Sequence, residues 1–305
     1  MIKRIVEISS APAFLHLKYG QMVIERDSET TAQVPIEDLG ILILGGTGIT
    51  CSAALLAACA QNNVAVVVAD EKHLPASVLL PLTAHGTQTQ VLESQINAPL
   101  PAQKSTWKKI VRAKVRAQAA MLSATGEENR MLLNLEKDVR SGDPENIEAQ
   151  AARYYWPKIF GVDFRREREG AWPNALLNYG YAVVRATVAR AIVGAGLHPS
   201  IGLHHHNKYN PFCLADDLME PLRPMVDYAV WHVHREGKIA EINKEAKKTM
   251  LNLLTSTVTI AKQRQEFIPA MHWYAASLRR VFVENGELDI PIWEALADTD
   301  QCGSS

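Results

Sequence analysis

Acidic and histidine side chains occur at three places in the second half of the chain where they could share a metal ion. Glu148 begins the alanine-rich segment 148–156, and three consecutive histidines follow at 204–206. Asp217 and Glu220 come shortly afterwards. Carboxylates suit hard divalent ions, and imidazole also binds ions such as Mn²⁺. An acid on one helix, a histidine on a loop and an acid on the next helix could together hold an ion that polarises a phosphoryl oxygen.

Each of these features also has an ordinary structural interpretation. Glu148 could be a helix-surface residue, and the histidines 204–206 could form a solvated loop. Asp217 and Glu220 could be acids that interact favourably with a helix N-terminus. The three consecutive histidines cannot all face one ion from a regular element, and the helical His-Glu-x-x-His zinc motif is absent. At the level of residue types, the sequence therefore predicts an acid-and-histidine metal site without proving one.

The composition indicates a globular protein without a membrane span. The chain has 305 residues, 47% of them hydrophobic, which is enough for a full core in one large domain or two modest ones. No stretch approaches the roughly 20 apolar residues that a span requires. The N-terminus lacks the apolar core and cleavage site of a signal peptide, so we expect a cytoplasmic location. Four scattered cysteines argue against a zinc or disulfide framework.

The distribution of charge is more informative than the total of −1. Residues 1–80 carry five Lys/Arg and eight Asp/Glu, a net charge of −3. Residues 81–125 carry six Lys/Arg and only Glu93, a net charge of +5. Such a segment could present a basic face to phosphates, although a solvated helix surface explains it equally well.

The pattern of elements predicts an α+β protein with two parts. Residues 1–75 resemble short strands with one helix, and we expect a small, mostly β N-terminal domain. Four prolines punctuate the segment 76–101 and its borders, which predicts a linker. Helical spacing dominates 102–297, which predicts a larger all-α catalytic domain, and 298–305 is expected to be a disordered tail.

Three of the predicted helices bear on the candidate residues or on the fold class. Asp143 followed by Pro144 predicts the start of a helix that runs to about Lys158 and carries Glu148. The segment 214–235 is predicted to be one helix that carries both Asp217 and Glu220. The segment 243–265 is predicted to be a single helix.

Five motifs in fixed order resemble one known family. They are Glu148-x-x-Ala151-Ala152-x-x-Tyr155-Trp156, Ala175-Leu176-Leu177-Asn178-Tyr179-Gly180, Ala195-Gly196-Leu197, Gly202-Leu203-His204-His205, and a stretch from Leu214 to Asp227 that contains Met219-Glu220-Pro221-x-Arg223-Pro224. Together they resemble the CRISPR-associated spacer-acquisition integrase and endonuclease family (Cas-one). The last motif is similar to that of the type II (Cas-nine-associated) branch, and the resemblance extends over essentially the whole chain.

The resemblance implies a divalent metal, Mg²⁺ or Mn²⁺, held by Glu148, His205 and Glu220. The Gly-x-x-His spacing from Gly202 selects His205, although the flanking histidines at 204 and 206 stay open as alternatives. Asp217 matches an additional acid of the family and is expected to support the site.

The resemblance further implies that the enzyme joins the 3′-hydroxyl ends of a short prespacer DNA to a CRISPR repeat. This exchange of phosphodiesters needs no nucleotide cofactor, which agrees with the absence of a P-loop pattern. Two joining events at a fixed separation require two active sites, so we expect a homodimer, in contact through the β domain. The family adds double-stranded DNA and a small second adaptation protein (Cas-two) as partners.

Several basic and aromatic residues are candidates for contact with DNA. The candidates are Tyr19, Lys104, Lys108, Lys109, Arg112, Arg165, Arg166 and Arg168. The arginines 165, 166 and 168 follow the Glu148 helix and are the preferred group. Tyr19 could stack on a duplex end and so set the length of fragment accepted, although a strand-end core tyrosine is equally plausible.

Two functions of other classes compete with the integrase. A non-catalytic scaffold that measures prespacer length would tolerate loss of the three candidate ligands. A hydrolase of small molecules or RNA, with a zinc site in the histidine run, would bind zinc tightly and act without DNA.

Overall fold

The secondary-structure elements divide the chain into a β-rich N-terminal part and a helical C-terminal part. A computed structural model describes residues 3–8, 12–27, 29–46, 48–70, 75–82, 84–167, 170–237 and 241–293. The strands are β1 (Arg4–Ile8), β2 (Ala13–Lys18), β3 (Gln21–Arg26), β4 (Glu29–Pro35), β5 (Leu39–Leu44), β6 (Ile49–Cys51), β7 (Ala65–Ala69), β8 (Pro75–Leu79), β9 (Thr257–Ile260), β10 (Gln263–Glu266) and β11 (Ile292–Trp293). The helices are α1 (Ala53–Gln61), α2 (Gln88–Ile96), α3 (Leu100–Ala124), α4 (Arg130–Asp138), α5 (Ile147–Phe160), α6 (Asn174–Gly194), α7 (Cys213–Met219), α8 (Arg223–Glu236), α9 (Lys244–Asn252) and α10 (Phe267–Glu284). The predicted mixed α+β fold is confirmed.

Two four-stranded sheets make up most of the N-terminal part. One has the order β1–β5–β7–β8, with the first three strands parallel and β8 antiparallel to β7. The other has the order β4–β3–β2–β6 and is antiparallel except for the β2–β6 pair.

The strand β5 joins the N-terminal core to the helical core. Ile41 and Ile43 are buried among the residues of the helical part, whereas Leu42 is buried in the N-terminal cluster. Successive side chains of a strand point to opposite faces of its sheet. The run 41–44 is therefore apolar without alternation because both faces of this strand are covered.

The predicted linker 76–101 is instead occupied by regular elements. The strand β8 continues the first sheet to Leu79, and α2 buries Val91 in the helical core. The side chain of Gln95, only 3% exposed, donates to the carbonyls of His198 and Ile201 at 3.0 and 2.8 Å. The prolines misled the prediction because they lie where proline is tolerated, at the start of β8 and in the first turn of α3.

The predicted helix 243–265 ends at Asn252, and a small sheet follows. The strand β9 pairs with β10 on one side and with β11 on the other, all antiparallel. Val258 and Ile260 are buried and alternate with the partly exposed Thr257 and Thr259. Alternating β-branched residues favour a strand. The prediction that the part 102–297 is all α is therefore wrong at this three-stranded sheet. The predicted tail 298–305 lies outside the described residues.

The helix α6 runs through the middle of the helical part. Its side chains are almost all buried, and it packs against α7, α8, α9 and α10. A Cβ atom at Gly180 would lie 2.5 Å from Val226 and 2.9 Å from the sulfur of Met250. Glycine at this position therefore lets three helices approach one another behind the candidate site.

Candidate active site

The candidate ligand Glu148 lies in the first turn of α5. The predicted start of this helix at Asp143 is wrong, because the helix begins at Ile147 with Asn146 as its N-cap. Asp143 nevertheless binds this end of the helix, since its carboxylate accepts from the backbone N–H groups of Ile147 and Glu148 at 2.9 and 3.1 Å. Two side chains thus satisfy helix N–H groups that would otherwise lack partners. They fix the position from which Glu148 projects.

The second candidate acid, Glu220, lies at a break between two helices. The predicted single helix 214–235 is interrupted by a 3₁₀ turn at Glu220–Leu222, between α7 and α8. Pro221 and Pro224 lack the N–H groups that a continuous helix would use at this point. Glu220 and Asp217 contact different partners, since Glu220 meets Arg223 and Lys114 whereas Asp217 meets His205.

A buried lysine bridges the two candidate glutamates. The Nζ atom of Lys114, on α3, lies 2.6 Å from Oε1 of Glu148 and 2.5 Å from Oε2 of Glu220. Arg223 donates from Nε to the other oxygen of Glu220 at 2.8 Å. Burial alone would raise the pKa of Glu220, but the charges of Arg223 and Lys114 outweigh it and lower this pKa to about 2. Glu220 is therefore a carboxylate at neutral pH.

Asp217 holds the loop that carries the third candidate ligand. Its fully buried carboxylate accepts from Nδ1 of His205 at 2.6 Å and from the backbone N–H groups of Leu203, His204 and His205. A Cβ atom at Gly202 would collide with the carbonyl oxygen of His205 and lie 2.9 Å from Asp217, so only glycine permits this turn. The hydrogen bond that His205 donates to Asp217 raises the pKa of His205.

Stacking on a buried tryptophan distinguishes the neighbouring histidines. His204 lies parallel to the ring of Trp107, with 4.4 Å between centroids and 2° between planes. His205 meets the same ring edge-on, at 5.8 Å and 85°. His204 is thus placed against an aromatic ring, while His205 is held by the carboxylate that follows in α7. His206 is exposed.

A hydrogen-bonded cluster lies directly behind the site. Tyr155 donates to Oδ2 of Asp227 at 2.9 Å, and Tyr181 donates to Oδ1. The guanidinium of Arg223 stacks on the Tyr181 ring at 4.7 Å. Burial raises the pKa of Asp227 to about 6. The cluster connects α5, α6 and α8 and fixes the arginine that contacts Glu220.

A polar cavity of about 470 Å³ opens beside Arg223, the partner of Glu220, and none of the three candidate ligands lines it. Its lining includes Arg166, Arg185, Arg223, Asn178, Asn210 and Tyr209. Arg166 stacks on the Tyr181 ring at 5.1 Å and donates to Asn178 at 2.6 Å. Three arginines around one polar cavity can accommodate phosphate oxygens.

The other predicted DNA-binding residues are spread over the surface. Lys104, Lys108, Lys109 and Arg112 lie along α3, where Arg112 donates to Glu136 at 3.1 Å. Arg165 donates to nearby backbone carbonyls rather than to the site. Arg168 lies outside the described residues.

Tyr19 lies at the turn between β2 and β3. It has φ of 50° and is 91% exposed, so it is not a core tyrosine.

Lys114, Arg223 and Trp107 belong to the site although the sequence did not single them out. Lys114 could have been recognised, because it shares a helix face with the buried Val111, Val115 and Gln118. A charged residue on an apolar helix face needs a partner of opposite charge.

The chemistry of the donor set suits a divalent ion. Two carboxylates already hold a cation between them, and the bond from Nδ1 of His205 to Asp217 leaves Nε2 as the nitrogen able to bind a metal. No group of three or more His, Cys, Asp or Glu residues in the described ranges is arranged as a metal site, however. The cation that lies between the two carboxylates is Lys114.

Comparison with known proteins identifies relatives over nearly the full length. The family model described as "CRISPR associated protein Cas1" matches residues 6–263. The CRISPR-associated endonuclease Cas1 of Neisseria meningitidis is 35% identical over 92% of this chain and 93% of its own length. Among the described residues, no helix is both long and apolar enough to cross a membrane.

Solved structures share the fold at lower identity. A casposase bound to its integration product has a TM-score of 0.78 and 19% identity, over 94% of this chain and 93% of its own. A Cas6-RT-Cas1–Cas2 complex has a TM-score of 0.75 and 15% identity, over 95% of this chain and 36% of that one.

Proposed function

Since this chain belongs to the Cas1 family of CRISPR-associated proteins, we propose that it is a metal-dependent DNA integrase of CRISPR adaptation. It joins the 3′-hydroxyl ends of prespacer DNA to the CRISPR repeat. The attacking 3′ oxygen forms a new bond to phosphorus, and the bond to the repeat's own 3′ oxygen breaks. The proton lost by the attacking hydroxyl is balanced by the proton that the leaving oxygen takes up. One phosphodiester replaces another, so the reaction consumes no nucleotide.

One observation carries this proposal: Glu148 and Glu220 converge on a single cation, beside a histidine whose free nitrogen is Nε2. We assign Glu148, His205 and Glu220 as the metal ligands and Asp217 as the residue that orients His205. Mg²⁺ or Mn²⁺ bound there would stabilise the charge that develops on the phosphoryl oxygens during displacement. Arg223 keeps the Glu220 carboxylate ionised and fixes its position, and a metal ligand must meet both conditions.

The protein contacts to DNA that we propose surround this site. The arginines of the polar cavity, Arg166 among them, would bind phosphates of a strand that enters the site. The exposed Lys104 and Lys109 on α3 would bind the backbone farther away, as would Lys108 and Arg112. The 91% exposure of Tyr19 supports a role in stacking on a duplex end.

We further propose a homodimer that binds double-stranded DNA together with the small adaptation protein Cas2. The strand β4 lies at an edge of its sheet, and five of its seven residues are exposed, which makes it a candidate for pairing with a second copy. A structural neighbour is a complex that contains both Cas1 and Cas2. We place this assembly in the cytoplasm and, from the motif that contains Glu220, expect it to belong to the type II branch.

An integration assay on ligand variants tests the proposal. A labelled duplex with 3′-hydroxyl ends and a plasmid that carries the repeat would be incubated with the protein, Cas2 and Mn²⁺ or Mg²⁺. We expect Glu148→Ala, His205→Ala and Glu220→Ala each to reduce joining by about 10³-fold or more, because each removes a metal ligand. Glu93→Ala, an exposed acid on α2, serves as the control and should join normally.

The rival functions predict different results in the same assay. Tight duplex binding without joining by the native protein would favour a scaffold that measures prespacer length. Activity on RNA or small molecules with zinc would favour a hydrolase. Unchanged joining by all three variants would refute the assigned ligands.

A further inference from the structure

The buried ammonium of Lys114 lies where a metal held by both glutamates would have to bind. Its Nζ atom is 2.6 Å from Glu148 and 2.5 Å from Glu220, and only 11% of the side chain is exposed. Mg²⁺ binds carboxylate oxygens at about 2.1 Å. The ammonium and an ion bound by the same two oxygens would therefore overlap, so only one of them can be present at a time.

The balance of charge also disfavours the presence of both cations together. Two carboxylates, Glu148 and Glu220, face two cations, Lys114 and Arg223, so these four groups sum to zero. Removal of the lysine alone would leave a partly buried carboxylate pair with one cation, which is costly. Addition of a divalent ion without loss of the lysine would leave an excess charge of +2. The four groups are neutral with the lysine inside, and an ion in its place would leave a charge of +1 rather than the +2 of both cations together.

We propose that Lys114 is a displaceable internal cation that holds the metal-free site together and that a divalent ion must expel. This inference rests on the proposed metal site at Glu148, His205 and Glu220. Lys114 is thus a positioning residue, which keeps the two glutamates convergent before metal arrives. The presence of Lys114 weakens the apparent affinity for the ion, because the ion must displace the ammonium from both carboxylates before it can bind.

Metal binding by variants tests this competition directly. Mn²⁺ would be titrated into native protein and Lys114→Met, with free Mn²⁺ followed by electron paramagnetic resonance. We expect about tenfold tighter binding by Lys114→Met, since a charge-assisted contact no longer opposes the ion. In EDTA the Tm of Lys114→Met should be lower than that of native protein. Mn²⁺ should raise the Tm of Lys114→Met by more than it raises the Tm of native protein. Lys137→Met, which removes an exposed lysine of α4, should resemble native protein in both respects.

A second measurement needs no variant and so survives if Lys114→Met fails to fold. Native protein would be pulsed with an amine-acylating reagent with and without Mn²⁺, and the modification of each lysine measured by mass spectrometry. We expect Mn²⁺ to increase the modification of Lys114 severalfold, because the expelled ammonium reaches solvent. Lys247, also buried but near Tyr179, provides an internal control that Mn²⁺ should not affect.

The outcomes separate this inference from the function on which it rests. Equal or weaker Mn²⁺ binding by Lys114→Met, or Mn²⁺-independent modification of Lys114, would overturn the displacement and leave the metal site standing. Failure of both native protein and variant to bind Mn²⁺ would overturn both.

Discussion

At the scale of single residues, the site depends on partners that sequence patterns did not reveal. The types of Glu148, the histidines 204–206 and the acids Asp217 and Glu220 predicted an acid-and-histidine site, and the family resemblance selected His205 and Glu220. Their partners come from distant elements: Lys114 from α3, and Asp217 across a turn that only glycine permits. Spacing along a chain indicates which residues share a helix face, but not which groups meet between helices.

Replacement of Asp217 by Asn should weaken metal binding through His205. The carboxylate orients the imidazole and raises its pKa, and a metal binds only the neutral ring. We expect Asp217→Asn to reduce Mn²⁺ affinity by about 10- to 100-fold at neutral pH, as for other residues that orient metal ligands. The pKa of His205 should fall. The imidazole then stays neutral to lower pH, so the pH below which Mn²⁺ binding is lost should also fall. Nuclear magnetic resonance titration of the imidazole and Mn²⁺ binding measure the two effects.

The neighbouring acid supplies the control for this prediction. Asp216 accepts from Asn210 and does not contact His205, so Asp216→Asn should leave the pKa of His205 unchanged. An unchanged His205 pKa in Asp217→Asn would show that the hydrogen bond does not control the imidazole.

At the scale of elements, the sequence predicted periodic helices well and interruptions poorly. The helical spacing predicted over 102–297 includes the long helices α3 and α6, whose apolar residues follow a helical period. The strand β9 was mistaken for helix, since four residues between helices give a short and ambiguous signal. The break at Glu220 was missed although Pro221 and Pro224 marked it. Asp217 lies in α7 before that break and Glu220 lies within it, and the two acids contact different partners.

Asp227 of α8, which accepts from Tyr155 of α5 and Tyr181 of α6, should make the free energy of unfolding depend on pH. Burial raises its pKa from 3.8 to about 6. An acid whose pKa is higher in the folded state adds stability below pH 3.8, and this contribution is lost as the pH rises through 6. The native protein should therefore lose on the order of 3 kcal/mol relative to Asp227→Asn between pH 4 and pH 7. Urea unfolding of both proteins across this range measures the difference.

A solvent-exposed acid provides the comparison. Asp163→Asn removes an exposed carboxylate and is measured over the same pH range as the control. A difference between Asp227→Asn and native protein that varies with pH no more than that of Asp163→Asn would contradict the raised pKa of Asp227.

At the scale of the whole molecule, the two parts share one sheet. The first sheet has the N-terminal cluster on one face and the helical core on the other, so the predicted linker is filled by β8 and α2. A β-rich part followed by a helical part could be predicted from periodicity. The covering of β5 on both faces could not, because an apolar run does not reveal what packs on each side. Gln95 of α2 shows the consequence, since it binds the loop that leads to His205.

The central claim is that the protein, together with Cas2, joins a prespacer DNA strand to the CRISPR repeat through the 3′ end of that strand. The most direct measurement compares a prespacer with 3′-hydroxyl ends and one with 3′-deoxy ends, each labelled at the 5′ end. Both would be incubated with native protein, Cas2, Mn²⁺ and a repeat plasmid. We expect label on the plasmid only with the hydroxyl ends, because the 3′ oxygen is the attacking group. Plasmid labelling by the deoxy substrate, or plasmid cleavage without joining of the hydroxyl substrate, would contradict strand transfer by this protein.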